Sequence, residues 1–125
     1  MRVIKIYITI AFSLTFILYG CYYDKEITFD GLPTNVSFTN DVMPILASNC
    51  SKSGCHDATP AHQPSLVLEN AFDALESGGY LDVLDPQKSR LYQEIESGNM
   101  PPSGPLSIND QKIILGWITE GAQDN

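Results

Sequence analysis

Basic residues are scarce in this chain. Seven lysines and arginines stand against fifteen aspartates and glutamates, a formal charge of −8 at pH 7. Such a balance argues against a nucleic-acid ligand and against electrostatic adhesion to anionic lipid, and it suits a protein partner with a basic docking face. Cysteine and histidine are scarcer still, with three and two copies. A thioredoxin-like redox pair is excluded, because two cysteines separated by two residues are missing and so is any supporting sheet pattern. The apolar–polar alternation of half-buried strands is nearly absent, and no internal repeat or low-complexity stretch is visible.

The N-terminus carries a processing signature. Arg2 and Lys5 precede an apolar run from Ile6 to Tyr19, which reads as an export signal and is shorter than the usual membrane-spanning length. Leu18-Tyr19-Gly20-Cys21 resembles the bacterial lipobox, in which cleavage before the cysteine leaves Cys21 as a lipidated first residue. Tyr19 is bulkier than the small residue usual there, and an ordinary secretory signal with a chance cysteine is the alternative. Removal of residues 1–20 leaves 105 residues, five basic and fifteen acidic, with a formal charge of −10. That length suffices for one small domain. Outside the cytoplasm, Cys50 and Cys55 are then the remaining thiol pair, expected to be oxidised or chemically used.

Residues 21–36 are polar and turn-rich and read as a tether, with the folded domain expected over 37–125. A first helix of about ten residues is expected in "SFTNDVMPILASNC", capped by Thr39 or Asn40, with Val42, Ile45 and Leu46 on its apolar face and an end near Asn49. Pro44 falls in its first turn, where a missing amide proton costs little. Residues 56–68 read as a loop. A short helix is expected in "NAFDALESGG" between Asn70 and Gly78, and another in "DPQKSRLYQEIESG", with Asp85 as cap and Pro86 at the first helical position. In "LSINDQKIILGWITEGA", Ser107 and Asp110 approximate a capping box. There Ile108, Ile114, Leu115 and Ile118 recur at helical spacing, broadened by Ile113 and Trp117, and Gly121 terminates. The fold class is therefore all-α, with four short helices, long loops and a thin core that a large apolar group would complete.

The chemistry concentrates in "SNCSKSGCHD". Cys50-Ser51-Lys52-Ser53-Gly54-Cys55-His56 is a C-x4-C-H arrangement, two residues longer than the C-x-x-C-H of c-type haem attachment. Two thiols can add across the two haem vinyl groups, and a histidine directly after the second thiol lies where it can donate a nitrogen to the iron. Gly54 permits a tight turn beside a ring. The competing readings are a Cys50–Cys55 disulfide with His56 on a surface loop, and a zinc site completed by His62 or a carboxylate. The haem reading asks for a second axial donor. Met100 stands 44 residues beyond His56 in the proline-rich loop "SGNMPPSGPLS", whose stiffness can hold a thioether in place. Met43, on the helix leading into the motif, suits a helical core or surface role better, and His62 is the rival donor.

From about Phe38 to Ala122 the chain resembles a small class I-like c-type cytochrome domain of exported bacterial proteins. The resemblance rests on "FTNDVMPILASNCSKSGCHD", "SRLYQEIESGNMPPSG" and "LSINDQKIILGWITEGA" together. It implies a cytochrome c-like helical domain around one covalent haem c, bound through Cys50 and Cys55, with His56 and Met100 as axial ligands of the iron. It also implies that the first and last helices cross near one haem edge, that Leu91, Tyr92, Ile114 and Trp117 lie close to the ring, and that Pro101 borders its exposed edge. The departure from the family pattern is the four-residue gap between the cysteines. The expected function is electron transfer at a membrane surface, without enzymatic chemistry, to a redox protein partner. A haem-based small-ligand sensor with a labile methionine, and a haem-free disulfide-stapled interaction lipoprotein, are the alternatives. Cys21→Ser removes the only expected acyl anchor; on export, the variant should move from the detergent-extractable membrane fraction, where the parent chain is expected, to the soluble fraction.

Overall fold

The computed structural model describes residues 31–125. The expected signal over 1–20, the lipidation site Cys21 and most of the expected tether lie outside the described residues. The described part is a small all-helical domain with no strands, and none of its helices is long and apolar enough to cross a membrane. A π-helical turn, Phe38–Val42, runs into α1, Met43–Asn49. Then come α2, Ala71–Ser77, a 3-10 turn, Pro86–Lys88, α3, Arg90–Glu96, and α4, Ile108–Thr119.

The first helix begins earlier than its pattern suggests. Its cap is Ser37, whose Oγ accepts the Asn40 N–H at 3.1 Å while its own N–H donates to Asp41 Oδ2 at 2.8 Å. The opening turn is wide: the N–H groups of Val42 and Met43 reach back five residues, to the carbonyls of Ser37 and Phe38. Pro44 explains the widening. It has no N–H to give, and its ring conflicts with the carbonyl four residues earlier in an ordinary α-turn. Met43 is buried, as a core residue should be.

Packing starts ahead of Ser37. Val36 is buried, and the segment before it crosses α4 at Gly116, where an added Cβ would meet the Pro33 carbonyl at 2.8 Å. The Glu120 carboxylate locks this crossing by accepting the N–H groups of Asn35 and Val36 at 2.7 and 2.9 Å. On the next face of α4, Trp117 lies against Phe38 with ring centroids 5.0 Å apart and donates its indole N–H to the Gln123 carbonyl at 2.9 Å. Ile114, Leu115 and Ile118 are fully buried beside it, whereas Ile108, at the helix start, is exposed. The expected Ser107–Asp110 cap is present, with Oγ accepting the Asp110 N–H at 3.1 Å.

One expected helix is two elements. "DPQKSRLYQEIE" breaks at Ser89, whose extended backbone (ψ 124°) separates the 3-10 turn from α3. The cause is a tertiary bond that outbids helix continuity. Ser89 is fully buried, and its Oγ accepts the Asp82 N–H at 2.8 Å while donating to the Asp82 carbonyl at 3.3 Å. Ser89→Ala would leave both groups without this partner, a loss of about 1–3 kcal/mol. The midpoint of urea unfolding should fall accordingly while the far-ultraviolet dichroism of the folded state stays unchanged.

Candidate functional site

Three helix ends and two loops enclose a cavity of about 450 Å³. Its first wall comes from the end of α1. Cys50 is the C-cap there, its N–H donating to the Leu46 carbonyl at 2.8 Å, and it is buried. The chain then turns back: the Cys55 N–H donates to the Lys52 carbonyl at 2.9 Å, and Gly54, at φ 78°, takes the left-handed position that this turn requires. Cys55 emerges exposed at the rim and His56 half-buried beside it. Both cysteines are free thiols.

His56 is held from three directions. Its N–H donates to the Cys50 carbonyl at 3.2 Å, its carbonyl accepts the Leu66 N–H at 2.8 Å, and Nδ1 lies 2.8 Å from the Pro64 carbonyl. A carbonyl only accepts, so in the neutral imidazole this bond selects the tautomer with the proton on Nδ1 and the lone pair on Nε2. This is the outer hydrogen bond that orients a ligating imidazole. The loop over 57–65 is closed at its base by Ser65 Oγ donating to the Asp57 carbonyl at 2.8 Å, and by Ser51 Oγ donating to the Leu66 carbonyl.

The opposite side in sequence arrives through glycine-terminated helices. After α2, the Gly79 N–H returns to the Glu76 carbonyl and the Tyr80 N–H to the Leu75 carbonyl, at 3.2 and 3.1 Å. These two bonds are the Schellman pattern, which brings the residue after the glycine back onto the last turn; Leu75 and Tyr80 both face the cavity. On α3, Arg90, Leu91 and Glu94 share one face toward it, and the Arg90 guanidinium lies 5.3 Å from the Tyr80 ring centroid. Gly98, at φ 72°, ends α3, and the Met100 N–H fastens to the Glu94 carbonyl at 2.9 Å. Met100, Pro101 and Pro102 complete the rim.

Cys50, Cys55, His56, Met100, Leu91 and Pro101 therefore line one cavity, as does His62. Tyr92, Ile114 and Trp117 do not reach its surface and lie in the core behind it. Tyr92 is one residue round the helix from Leu91, about 100° away, and its hydroxyl is 3.3 Å from Glu96 Oε1. Burial, together with the Glu96 carboxylate, pushes its phenol well above the ordinary range. Leu66, Leu75, Tyr80, Arg90 and Glu94 are wall residues that the pattern reading passed over. Glu94 had a local signal, being three positions after Leu91 on the same helical face. Tyr80 had none beyond its place after a Gly-Gly stop.

A guest in this cavity meets two thiols, an imidazole nitrogen with a free lone pair, a thioether and apolar side chains. Among the described residues, no three His, Cys, Asp or Glu side chains gather closely enough to hold a metal ion by themselves. Comparison of the chain with protein-family models, with curated proteins and with solved structures finds no match in any of the three. What fold and site define is a small all-helical domain with two cysteines five positions apart at the mouth of a largely apolar cavity.

The Cys50 thiol is pushed up from 9.0 to about 11, by burial first and then by the neighbouring Cys55, with Lys52 acting weakly in the other direction. With nothing bonded to its sulfur, Cys50 should react slowly with iodoacetamide near neutral pH while the exposed Cys55 is consumed, and the Cys50 rate should climb about tenfold per pH unit up to the Cys50 ionisation. Unfolded, the same thiol ionises near 9.0. Between that value and about 11 the folded chain binds more protons than the unfolded one, so this contribution to stability is intact below the window and is lost across it. Peptide mass mapping of alkylated chain, and unfolding midpoints measured on either side of the window, check both statements.

Proposed function

We propose that the chain is a monohaem c-type electron carrier with a class I cytochrome-like domain, exported and anchored by lipid on Cys21. The observation that carries the reading is the gathering of Cys50, Cys55, His56 and Met100 on one cavity, although Met100 is 44 residues from His56. The residues present fit the group. The cavity volume falls within the range of about 300–1,000 Å³ over which proteins bury sizeable organic ligands. Its wall offers Leu66, Leu75 and Leu91 for an apolar ring, and Arg90 and Tyr80 as polar contacts.

In this reading Cys50 and Cys55 would hold haem c covalently, and His56 and Met100 would be the side chains that ligate its iron. The bound haem supplies a single-electron ferric–ferrous couple. The chain does the rest. The Pro64 carbonyl keeps the proton on Nδ1 of His56 and so presents Nε2 as donor. The bond from Met100 N–H to the Glu94 carbonyl ties the thioether's backbone to α3. Leu66, Leu75 and Leu91 would shield the bound group from water on one wall, which together with methionine ligation would favour the reduced state. Ligation by both His56 and Met100 would leave no open place for a substrate at the metal, so the protein would act as a carrier rather than an enzyme. The acidic surface suits a redox partner with a basic docking face.

Met100 is 36% exposed, and this favours one second reading, a haem-based small-ligand sensor in which the thioether leaves the metal. Intact mass of the denatured, exported mature chain tests the main assignment: covalent haem adds its mass in the parent and is lost in Cys50→Ala/Cys55→Ala. A reduced spectrum unchanged by carbon monoxide supports the carrier; a rapid large shift supports the sensor. In a carrier, Met100→Ala should lower the midpoint potential and open the site to carbon monoxide without abolishing covalent attachment.

A further inference from the structure

We propose that Asp57 is a positioning residue that makes the four-residue gap between the cysteines workable. This inference deepens the haem reading of the same site and rests on it. Two additional residues between the thiols create a mechanical problem, because the second thiol and the imidazole next to it then hang on a longer, freer loop. The chain answers in two steps. The Lys52–Cys55 turn folds the excess outward, closed by the 2.9 Å bond from Cys55 N–H to the Lys52 carbonyl. The Asp57 carboxylate then spans the whole unit. Its Oδ2 accepts the Gly54 N–H at 3.0 Å and its Oδ1 accepts the Thr59 N–H at 3.1 Å.

These two bonds grip the backbone on both sides of Cys55 and His56. The Gly54 bond is made to the left-handed residue of the turn, where the backbone has most freedom to give way. The Asp57 carbonyl meanwhile accepts the Ser65 hydroxyl at 2.8 Å, next to Pro64, whose carbonyl holds the imidazole. Asp57 thus connects the turn that absorbs the extra residues to the segment that orients His56. Its carboxylate bonds to backbone N–H groups and makes no hydrogen bond to either thiol or the imidazole, so its effect passes through their placement.

The test compares the exported, 15N-labelled full chain with Asp57→Ala and Asp57→Asn, and with Glu69→Ala, which removes an equal charge elsewhere. Three quantities are read: amide exchange at Gly54 and Thr59, the chemical shift of the His56 Nδ1 proton, and the fraction of mature chains carrying haem mass. Asp57→Ala is expected to speed exchange at both amides by about tenfold, as loss of a charged acceptor does, to shift the Nδ1 proton, and to lower the haem-bearing fraction at least about threefold through a loosened site. Asp57→Asn keeps one acceptor oxygen and should restore protection at one amide and an intermediate haem fraction; it also serves if Asp57→Ala fails to fold. Glu69→Ala should match the parent. Unchanged amide exchange, or a haem fraction and Nδ1 shift equal to the parent's in both Asp57 variants, would overturn the proposal, as would an equal effect of Glu69→Ala. A parent chain without haem mass overturns the electron-carrier reading instead, while the amide and Nδ1 measurements still decide whether Asp57 holds the loop.

Discussion

Backbone carbonyls, more than side-chain packing, determine where His56 stands. The Cys50 carbonyl accepts its N–H, the Leu66 N–H donates to its carbonyl, and the Pro64 carbonyl accepts a hydrogen bond from Nδ1. A loop running over the surface has few regular partners for its amides, and unpaired backbone groups in a partly buried setting are costly. Here those requirements are met by bonds that converge on one residue. Satisfying the backbone and orienting the imidazole are the same act. The tautomer follows from this frame, and with it the free lone pair on which any ligand role depends.

The rest of the cavity depends on how helices stop. α2 and α3 are only two turns long, too short to persist without tertiary support. Their glycine ends do more than terminate them. Gly79 turns the chain so that Tyr80 returns over Leu75, and Gly98 does so for the segment that fastens Met100 to Glu94. α4 ends in the same manner, with Gly121 in the left-handed region and Ala122 donating to the Trp117 carbonyl. Left-handed backbone is inexpensive only for glycine, so these positions convert a local preference into placement of wall residues. The long loops between short helices are then the material from which the cavity is made.

Division of labour along α4 keeps this arrangement stable. Trp117, Ile114, Leu115 and Ile118 form the interior with Phe38 and Tyr92, and Gly116 admits the crossing of the Pro33 segment. Every buried side-chain nitrogen or oxygen among the described residues has a partner. The cavity wall can therefore leave a thiol, an imidazole nitrogen and a thioether uncommitted while the core behind it is closed. The proposed haem would add to a core that already exists on the other side of α3.

Much of this was legible from short-range pattern. The all-helical class, the ends of α2 and α4 and the Ser107–Asp110 cap follow from periodicity, capping and the turn chemistry of a few residues, which act over one or two helical turns. The expected grouping of Met100 with Cys50, Cys55 and His56 comes instead from the haem-attachment pattern and the family resemblance, since 44 residues separate Met100 from His56. The break at Ser89 was not legible, because it answers to Asp82 across a loop. Nor was the wide first turn, where Pro44 and the Ser37 cap pull the start upstream. Tyr92, Ile114 and Trp117 carry the same apolar signal as Leu91, yet they face the core and Leu91 faces the cavity. Hydrophobicity says that a side chain will be buried; which interior it enters depends on contacts between residues far apart in sequence, and those exist only once the chain has closed on itself.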